Sequence, residues 1–199
     1  MSTDREAPPK EGLRERKRRE TARRIVEAGM RLFIDRGYEA ATIEEIAAAA
    51  DISRRTFFHY FRSKDEILLS MQGGMGEELA AALREELQDK RPLQAMRAAA
   101  LRICGGYPAA DMIVVDRLMR ANAAVQARKQ ASYIQQEQAL FEIMRERWPQ
   151  PEHEVSLRLA AMASVGALRL AFDALSREGG ARPVALLLNE VFDALEAGI

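Results

Sequence analysis

Residues 42–64 read TIEEIAAAADISRRTFFHYFRSK, and this stretch predicts two short helices joined by a tight turn. Thr42 and Glu45 have the spacing of a capping box, in which each side chain satisfies a free backbone N–H at the start of a helix. Residues 51–53, Asp-Ile-Ser, interrupt the helical pattern, and Ser53 is suited to cap the second helix. Apolar residues with the period of one helical face precede the interruption: Ile43, Ile46, Ala47 and Ala50.

The second of these helices has two faces of different chemistry. Phe57 and Phe61 are four residues apart, so both lie on one face and can anchor it in a small core. The helix also carries five polar side chains: Arg54, Arg55, Thr56, His59 and Tyr60. This combination is typical of a helix that enters a groove of DNA, whereas the plainer alternative is a helical subdomain whose arginines are only solvated.

Three groups of residues extend this pattern at fixed spacing. They are Leu32-Phe33…Arg36-Gly37-Tyr38, Thr42-Ile43-x-x-Ile46-Ala47, and Thr56-Phe57-Phe58-His59-Tyr60-Phe61-x-Ser63-Lys64. Through these groups, residues 20–69 resemble the DNA-binding domain of the TetR family of bacterial transcriptional regulators. The resemblance covers about a quarter of the chain, and the rest matches only in helical organisation. It implies an all-α fold, in which an N-terminal three-helix helix-turn-helix domain precedes a larger helical domain for ligand binding and dimerisation.

By this resemblance, the third helix of the domain enters the major groove of DNA. Candidates for contact with base edges are Arg54, Arg55 and His59, because arginine can grip guanine with two hydrogen bonds. Candidates for contact with phosphate are Lys17, Thr42, Ser53, Thr56, Tyr60 and Lys64. The chain departs from the family at Phe58, where a phosphate-binding tyrosine is common. Phe58 has no hydroxyl, and a contact with a thymine methyl or with the sugar backbone is the alternative role.

The formal net charge of the chain is zero, but it hides a basic segment. Residues 10–24 hold eight basic and three acidic side chains, a net charge of +5. DNA binding requires a local basic patch that faces phosphate, and it does not require a basic protein as a whole. Because the segment leads into the recognition unit, we favour phosphate contact over a merely solvated helix face.

Composition argues against several other classes of protein. No apolar run approaches the ~20 residues of a membrane span, and the first twelve residues lack an apolar signal region, so we expect a cytoplasmic protein without membrane contact. The single cysteine, Cys104, excludes an intramolecular disulfide and is a packing residue or, alternatively, a redox sensor. We expect no enzyme, no cofactor and no metal site, because the chain has neither a glycine-rich phosphate loop nor Cys or His pairs at metal spacing.

The predicted all-α organisation has about nine to ten helices in total. Residues 1–12 are expected to be a disordered arm. Residues 13–62 are expected to form the helix-turn-helix DNA-binding domain. Residues 63–199 are expected to form the helical ligand-binding and dimerisation domain.

Three glycines, Gly73, Gly74 and Gly76, fall inside the predicted fourth helix. Each glycine in a helix costs about 0.5–1 kcal/mol relative to alanine, so a cluster of them calls for a reason. Close helix packing or a break in the helix is one interpretation. A hinge at the end of the DNA-binding part is the other.

The last two predicted helices carry faces of small and aliphatic residues that suit tight helix packing. By the resemblance, two such helices from each subunit form the four-helix interface of a homodimer. A twofold dimer also has a physical reason, because it places two recognition helices in successive major grooves of a palindromic operator. The alternative is that these faces form internal core only. The interface candidates are Ala160, Ala163, Gly166, Ala167, Leu170, Val184, Leu187, Leu188, Val191 and Leu195.

The middle region, about residues 90–150, is then expected to hold an unknown small-molecule ligand, because methionine-rich surfaces adapt to varied apolar shapes. The candidate pocket residues are Met96, Leu101, Tyr107, Met112, Leu118, Met119, Arg120, Tyr133, Phe141, Met144 and Arg169. For the two arginines, a salt bridge at the surface is the alternative. Residues 118–147 resemble regulators of acyl-CoA-like ligands, which makes an acyl group or another amphipathic molecule a candidate ligand.

These features together predict a ligand-responsive DNA-binding regulator of transcription. Repression, with release from the operator by a small amphipathic or apolar ligand, is the default of the family that the chain resembles. Two alternatives stay open: a ligand-independent or architectural DNA-binding protein, and a helical protein-interaction module.

Overall fold

The computed structural model describes residues 12–198, and this range forms nine α-helices and a short 3-10 turn without any strand. The helices are α1 Leu13–Arg36, α2 Ile43–Ala49, α3 Arg54–Tyr60, α4 Lys64–Glu86, α5 Pro92–Cys104, α6 Ala109–Ala121, α7 Ala123–Arg147, α8 Glu154–Arg177 and α9 Val184–Ala197. The predicted all-α class is therefore confirmed. The expected disordered arm lies outside the described residues except for Gly12, which immediately precedes α1.

The helices group into two compact units, the first ending at Ile67 and the second beginning at Leu68. In the first unit, α2 and α3 have seven residues each, which is too short for a helix to be stable in water by itself. Their stability depends on a shared core with α1. The fully buried side chains of this core are Ile25, Ala28, Phe33, Ile46, Phe57 and Ile67.

Side chains cap the starts of both short helices as the sequence predicts. The Oγ1 atom of Thr42 accepts a hydrogen bond from the backbone N–H of Glu45 (3.2 Å), and Glu45 Oε2 accepts one from the N–H of Thr42 (3.0 Å). This reciprocal pair completes the capping box of α2. At α3, Ser53 Oγ accepts from the backbone N–H of Thr56 at 3.0 Å.

The turn between α2 and α3 is tightened by a residue in the left-handed backbone region. Asp51 has φ 54°, a conformation that glycine adopts most easily. The N–H of Ile52 reaches back to the carbonyl of Ala47 (3.0 Å), and the N–H of Asp51 to that of Ala48 (3.1 Å). These two bonds form the closure that commonly ends a helix, so α2 stops sharply and α3 begins three residues after Asp51.

In the second unit, α8 is the central helix and packs against α5, α6, α7 and α9. Small side chains alternate with aliphatic ones along its buried face, which lets the neighbouring helices approach closely. The buried residues of α8 are Leu157, Ala161, Ser164, Val165, Ala167, Ala171 and Leu175. This helix begins at Glu154, shortly after Pro149 and Pro151, and ends at Arg177, shortly before Gly179 and Gly180, which both have positive φ.

By length and composition, the segment Pro151–Arg177 is also apolar enough to cross a membrane, although charged residues interrupt its apolar sequence. Alanine and leucine on the buried face raise its mean hydropathy. Because that face packs against four other helices, we interpret the segment as the core helix of a helical domain.

The glycine cluster neither breaks α4 nor permits a close helix contact at Gly73 and Gly74. The helix is continuous from Lys64 to Glu86, and a Cβ atom added at Gly73 or Gly74 would meet nothing within 4 Å. At Gly76 an added Cβ would make an ordinary contact with Gln136 at 3.8 Å. Packing therefore does not explain the cluster, and the hinge stays a proposal.

A contrasting glycine, Gly29 of α1, is required by packing. An added Cβ would lie 2.9 Å from Cδ1 and 3.2 Å from Cγ2 of Ile67, a fully buried and β-branched side chain with little freedom to move. We expect Gly29→Ala to lower the free energy of unfolding by about 1–3 kcal/mol, because overpacking outweighs the gain in helix propensity. Gly73→Ala is the matched control, and it should raise stability by about 0.5–1 kcal/mol. Urea denaturation measures both changes, and a Gly29→Ala variant as stable as the native chain would contradict this account.

Candidate nucleic-acid interface and ligand cavity

Helix α3 is anchored through one face and exposed on the other. Phe57 is completely buried and Phe61 nearly so, and their ring centroids lie 6.0 Å apart. Phe58, the position that departs from the family, is 44% exposed and stands edge-on to Phe57 at 5.6 Å between centroids. Helix α3 therefore presents an aromatic ring, without a hydroxyl, among its polar side chains. The side chains that line a shallow depression on this surface are Arg55, Thr56, Phe58, His59 and Tyr60.

The side chains of the three candidates for base contact differ in the neighbours that they contact. Arg54 Nε lies 3.0 Å from Oε1 of Glu44 on α2, and its guanidinium lies 5.5 Å from the centroid of Phe58. Arg55 is exposed and lies in the depression. His59 is exposed too, with its ring edge-on to Tyr60 at 5.4 Å. Arg54 is thus oriented in the free protein, whereas Arg55 and His59 point into the surface that is open to a ligand.

Three of the phosphate-contact candidates have hydroxyl groups that already form hydrogen bonds at the helix starts. Thr42 is the cap of α2, and its hydroxyl also donates to Glu45 Oε2 at 2.9 Å. Ser53 and Thr56 hold each other through their hydroxyl oxygens, 2.8 Å apart. All three lie at helix N-termini, where free backbone N–H groups favour an anion. The hydroxyl groups that are predicted to contact phosphate are therefore the same ones that form hydrogen bonds at the starts of α2 and α3.

Lys64 is used inside the first unit. Its Nζ donates to the backbone carbonyls of Tyr38 (2.7 Å) and Ala41 (3.0 Å), and it lies 4.5 Å from the ring centroid of Tyr38. The ammonium is therefore bound to carbonyls of the α1–α2 loop. In this position it is not oriented for the phosphate contact that the sequence predicts. Lys17, by contrast, is exposed on the first turns of α1 within the basic segment.

The second unit contains a mainly apolar cavity of about 180 Å³ among α4, α5, α6, α7 and α8. Five of the predicted pocket residues line it: Tyr107, Met112, Met119, Tyr133 and Arg169. Other lining residues were not predicted, among them Met71, Met75 and Leu79 of α4 and Val165, Leu168 and Phe172 of α8. The regular spacing of these methionine and aliphatic residues is visible in the sequence, but it is equally typical of helix packing.

The remaining six candidates lie outside the lining of this cavity. Met96, Phe141 and Met144 are buried in the core of the second unit. Leu101 packs against that core, and Leu118 is half-buried on α6. Arg120 is tied into ion pairs beside the cavity, so the salt-bridge alternative describes it.

One wall of the cavity is built around a buried carboxylate. Asp116 is only 7% exposed and the one charged side chain that is buried in the described range. It accepts hydrogen bonds from Arg120 Nε (2.6 Å), Lys129 Nζ (2.9 Å) and Ser176 Oγ (2.6 Å). Arg120 also pairs with Asp173 on α8. Because these residues come from α6, α7 and α8, the network joins three of the helices that enclose the cavity.

Burial alone would raise the pKa of Asp116, but the hydrogen bonds from Arg120, Ser176 and Lys129 outweigh it and lower that pKa below its ordinary value. The same carboxylates, Asp116 and Asp173, raise the pKa of Arg120. Both shifts favour the charged forms of Asp116 and Arg120.

Cys104 also lines the cavity, and it is buried. Burial raises the pKa of its thiol to about 11. At neutral pH the thiol is protonated, and thiolate is the reactive form, so the structure favours the packing role over the redox role. Among the residues that the structure describes, no group of three or more His, Cys, Asp and Glu side chains is arranged to hold a metal ion.

The predicted dimer-interface residues divide between core and surface. Ala167, Val184, Leu187 and Leu188 are buried within the single chain, and Ala160, Ala163, Gly166, Val191 and Leu195 are half-buried. Leu170 is exposed. It lies on an apolar stripe of large exposed side chains along α8 that the prediction did not include: Val155, Leu159 and Met162. Leu186 of α9 is a further exposed aliphatic residue.

Comparison with known proteins identifies the family. Residues 25–71 match the bacterial regulatory proteins of the tetR family. Residues 90–199, more than half of the chain, match the MftR C-terminal domain. The chain belongs to the TetR family. The resemblance drawn from residues 20–69 is thereby confirmed.

Individual TetR-family regulators are similar to this chain over part of its length. The HTH-type transcriptional regulator TcmR of Streptomyces glaucescens is 37% identical over 112 residues, which are 56% of this chain and 50% of TcmR. The chain thus spans about half the length of this curated relative. Among solved structures, the chain is similar to FadR of Thermus thermophilus, a TetR-family transcriptional repressor in complex with lauroyl-CoA. The TM-score is 0.57 at 26% sequence identity, and the match covers 89% of this chain and 94% of the FadR chain.

A third comparison supports the fold alone. FadR of Bacillus subtilis, in complex with stearoyl-CoA, has a TM-score of 0.64 at 19% identity and covers 89% of this chain and 98% of its own. Both TcmR and the FadR of Thermus thermophilus are described as regulators of transcription, and neither is described as an enzyme.

The buried carboxylate makes a prediction about stability. We expect Asp116→Asn to lower the free energy of unfolding by about 1–3 kcal/mol at pH 7, because it leaves Lys129 and Arg120 without their shared charge. Because the folded pKa of Asp116 is lowered, its contribution is present above the ordinary pKa and is lost as pH falls through the folded value. The difference between native and variant should therefore shrink below about pH 4.

Thermal and urea denaturation between pH 3 and pH 7 measure this difference. Asp173→Asn is the matched control, because Asp173 shares Arg120 but is half exposed, so its removal should cost less than about 1 kcal/mol. An Asp116→Asn variant whose stability deficit stays constant down to pH 3 would be inconsistent with the network as described.

Proposed function

We propose that this TetR-family protein is a transcriptional repressor that binds a palindromic operator as a homodimer and is released by a small amphipathic or apolar ligand. The observation that carries the proposal is the pairing of two sites in one chain. The first unit has an anchored helix with an exposed face of arginine, histidine and aromatic side chains. The second unit has an apolar cavity enclosed by five helices. A purely structural helical module needs neither.

For DNA binding, Arg54, Arg55 and His59 are the proposed readers of base edges. Lys17 and the basic first turns of α1 contribute phosphate contacts, together with the backbone N–H groups beside Thr42 and Ser53. Tyr60 and Thr56 border the same surface. Phe58 offers an apolar contact of the kind that suits a thymine methyl group.

For dimerisation, the proposed interface is the apolar stripe Val155, Leu159, Met162 and Leu170 of α8, extended by Leu186 of α9. Exposed aliphatic side chains in one continuous stripe mark a surface that is covered in the functional state. The half-buried candidates Ala163 and Gly166 lie between them on α8, where small side chains permit a close approach of two helices. A cytoplasmic location follows from the role at DNA.

For the ligand, the size and lining of the cavity favour a compact apolar body. An enclosed apolar cavity of about 150 Å³ binds a benzene ring, so about 180 Å³ accommodates a ring or a short acyl chain. The complex of Thermus thermophilus FadR with lauroyl-CoA supports an acyl ligand, since that repressor is 26% identical to this chain. A longer acyl chain requires the lining helices to separate.

This separation is the proposed source of the response. Wedging α6 away from α8 strains the hydrogen bond between Asp116 and Ser176 and the ion pair between Arg120 and Asp173. A ligand shifts an equilibrium between two states only if it binds them with different affinities. Helix α4 runs without a break from Lys64 in the first unit to Glu86 in the second. We propose it as the element that carries the change, with its glycine cluster as the hinge.

The DNA-binding assignment is tested with the promoter upstream of the protein's own gene. We expect Arg55→Ala and Arg54→Ala each to weaken binding about tenfold or more, because a bidentate contact between arginine and guanine provides that much discrimination. Arg84→Ala, an equal loss of charge at an exposed position of α4 in the second unit, is the matched control and should change affinity little. Fluorescence anisotropy over a range of salt concentrations measures all three.

Two results separate the alternatives. Absence of any salt-dependent binding to that promoter, with both arginine variants equal to the native chain, would favour the protein-interaction module. Tight binding that no acyl or apolar compound reverses would favour the ligand-independent DNA-binding protein.

The hinge makes a separate prediction. Gly73→Ala combined with Gly74→Ala should stiffen α4 and weaken the response to the inducing ligand, while the affinity for operator without ligand stays within about twofold. The space around both positions accommodates the added methyl groups, so the variant should fold normally. Operator release as a function of ligand concentration is the measurement. Induction identical to that of the native chain would reject the hinge.

A further inference from the structure

Five charged side chains line the cavity, and within the described range three of them form ion pairs whereas Asp111 and Arg169 form none. Lys129 pairs with Asp116 at 2.9 Å, and Asp173 pairs with Arg120. Asp111 lies in the first turn of α6, where the positive end of the helix dipole stabilises a carboxylate. Arg169 lines the cavity as well, but in the described range no carboxylate forms an ion pair with it.

Arg169 is held in place by an aromatic ring. Its guanidinium carbon lies 4.7 Å from the ring centroid of Tyr133, which also lines the cavity. A ring of this kind orients a guanidinium over its face and leaves the edge of the guanidinium, with its N–H donors, available to an acceptor. The stacking therefore orients the exposed guanidinium before a ligand arrives, and no ion pair within the described range neutralises its charge.

A second arginine on α8, Arg158, also stacks on an aromatic ring and provides a comparison. Arg158 of α8 stacks on Phe141 of α7 at 4.1 Å, as Arg169 stacks on Tyr133 of α7. Arg158, however, also pairs with Glu154 at 3.1 Å, and it lies outside the cavity lining. The two arginines share helix, partner helix and stacking, and they differ in having a carboxylate partner and in bordering the cavity.

From this contrast we infer that Arg169 is the anion-binding and specificity-determining residue of the cavity, so that the ligand is an amphipath with an apolar body and an anionic head group. The inference rests on the proposed ligand-binding function and adds the chemistry of the head group. The apolar lining receives the body of the ligand, and the guanidinium receives a carboxylate or phosphate with two parallel N–H···O bonds. An uncharged or cationic amphipath of equal length lacks this interaction.

The test uses the full chain and eight-carbon probes that fit a cavity of this size, below the concentrations at which they form micelles. Octanoate, octanol and octyltrimethylammonium differ in head-group charge, and octanoyl-CoA places its anionic phosphates beyond the thioester. Calorimetric titration should show octanoate or octanoyl-CoA binding more tightly than octanol, with octyltrimethylammonium the weakest. A preference for octanoate assigns a free carboxylate, and a preference for octanoyl-CoA assigns the phosphates.

Substitution then locates the anion. Arg169→Gln should weaken binding of the preferred anionic probe about tenfold or more, while the affinity for octanol changes less than about twofold. Arg169→Lys should retain part of the affinity, because it keeps the charge and loses the planar fork. Arg158→Gln, the matched control, should leave both affinities unchanged.

Three results would overturn the inference: tightest binding of octyltrimethylammonium, no measurable binding of either anionic probe to the native chain, or an Arg169→Gln variant that binds the anion as the native chain does. None of these affects binding to the operator, which tests the proposed DNA-binding function separately. Release of operator by octanol at the same concentration as by octanoate would likewise refute the role of Arg169 while keeping ligand-induced release.

Discussion

A seven-residue helix cannot hold its shape in water through its own backbone hydrogen bonds, and the DNA-facing part of this protein is built on that constraint. Helix α3 exists as a helix because Phe57 is completely buried and because Ser53 satisfies the N–H of Thr56. Anchoring one face leaves most of the other exposed, with Thr56 and Tyr60 half-buried at its edges. The residues that suit contact with DNA are thus exposed as a direct result of how the helix is stabilised.

The second unit meets a different requirement, because it encloses space that is not filled by side chains. An unfilled apolar cavity of about 180 Å³ weakens a core, and a charge buried beside it would weaken the core further if it were unpaired. Asp116 avoids that penalty through three donors from three helices. The same bonds that stabilise the closed wall define what must give way when the cavity expands.

Much of this architecture could be predicted from sequence, because local signals fix local structure. The capping box at Thr42 and Glu45 and the cap at Ser53 both appear in the structure. The cavity was harder to predict, because its lining comes from five separate helices. Met96 and Met144 face the core and Met71 and Met75 face the cavity, yet all four are methionines in amphipathic helices. Which face meets empty space depends on how the helices pack, and periodicity does not contain that information.

The ion pair between Arg54 and Glu44 has a consequence for how DNA is met. In the free protein Oε1 of Glu44 lies 3.0 Å from Nε of Arg54, whose guanidinium lies 5.5 Å from the ring centroid of Phe58. In the proposed contact with a base edge, Arg54 would exchange this acceptor for one on DNA, so it would lose less rotational freedom on binding than an unrestrained arginine. Under that proposal Glu44 competes with DNA for Arg54, and a base displaces it only by offering the better geometry.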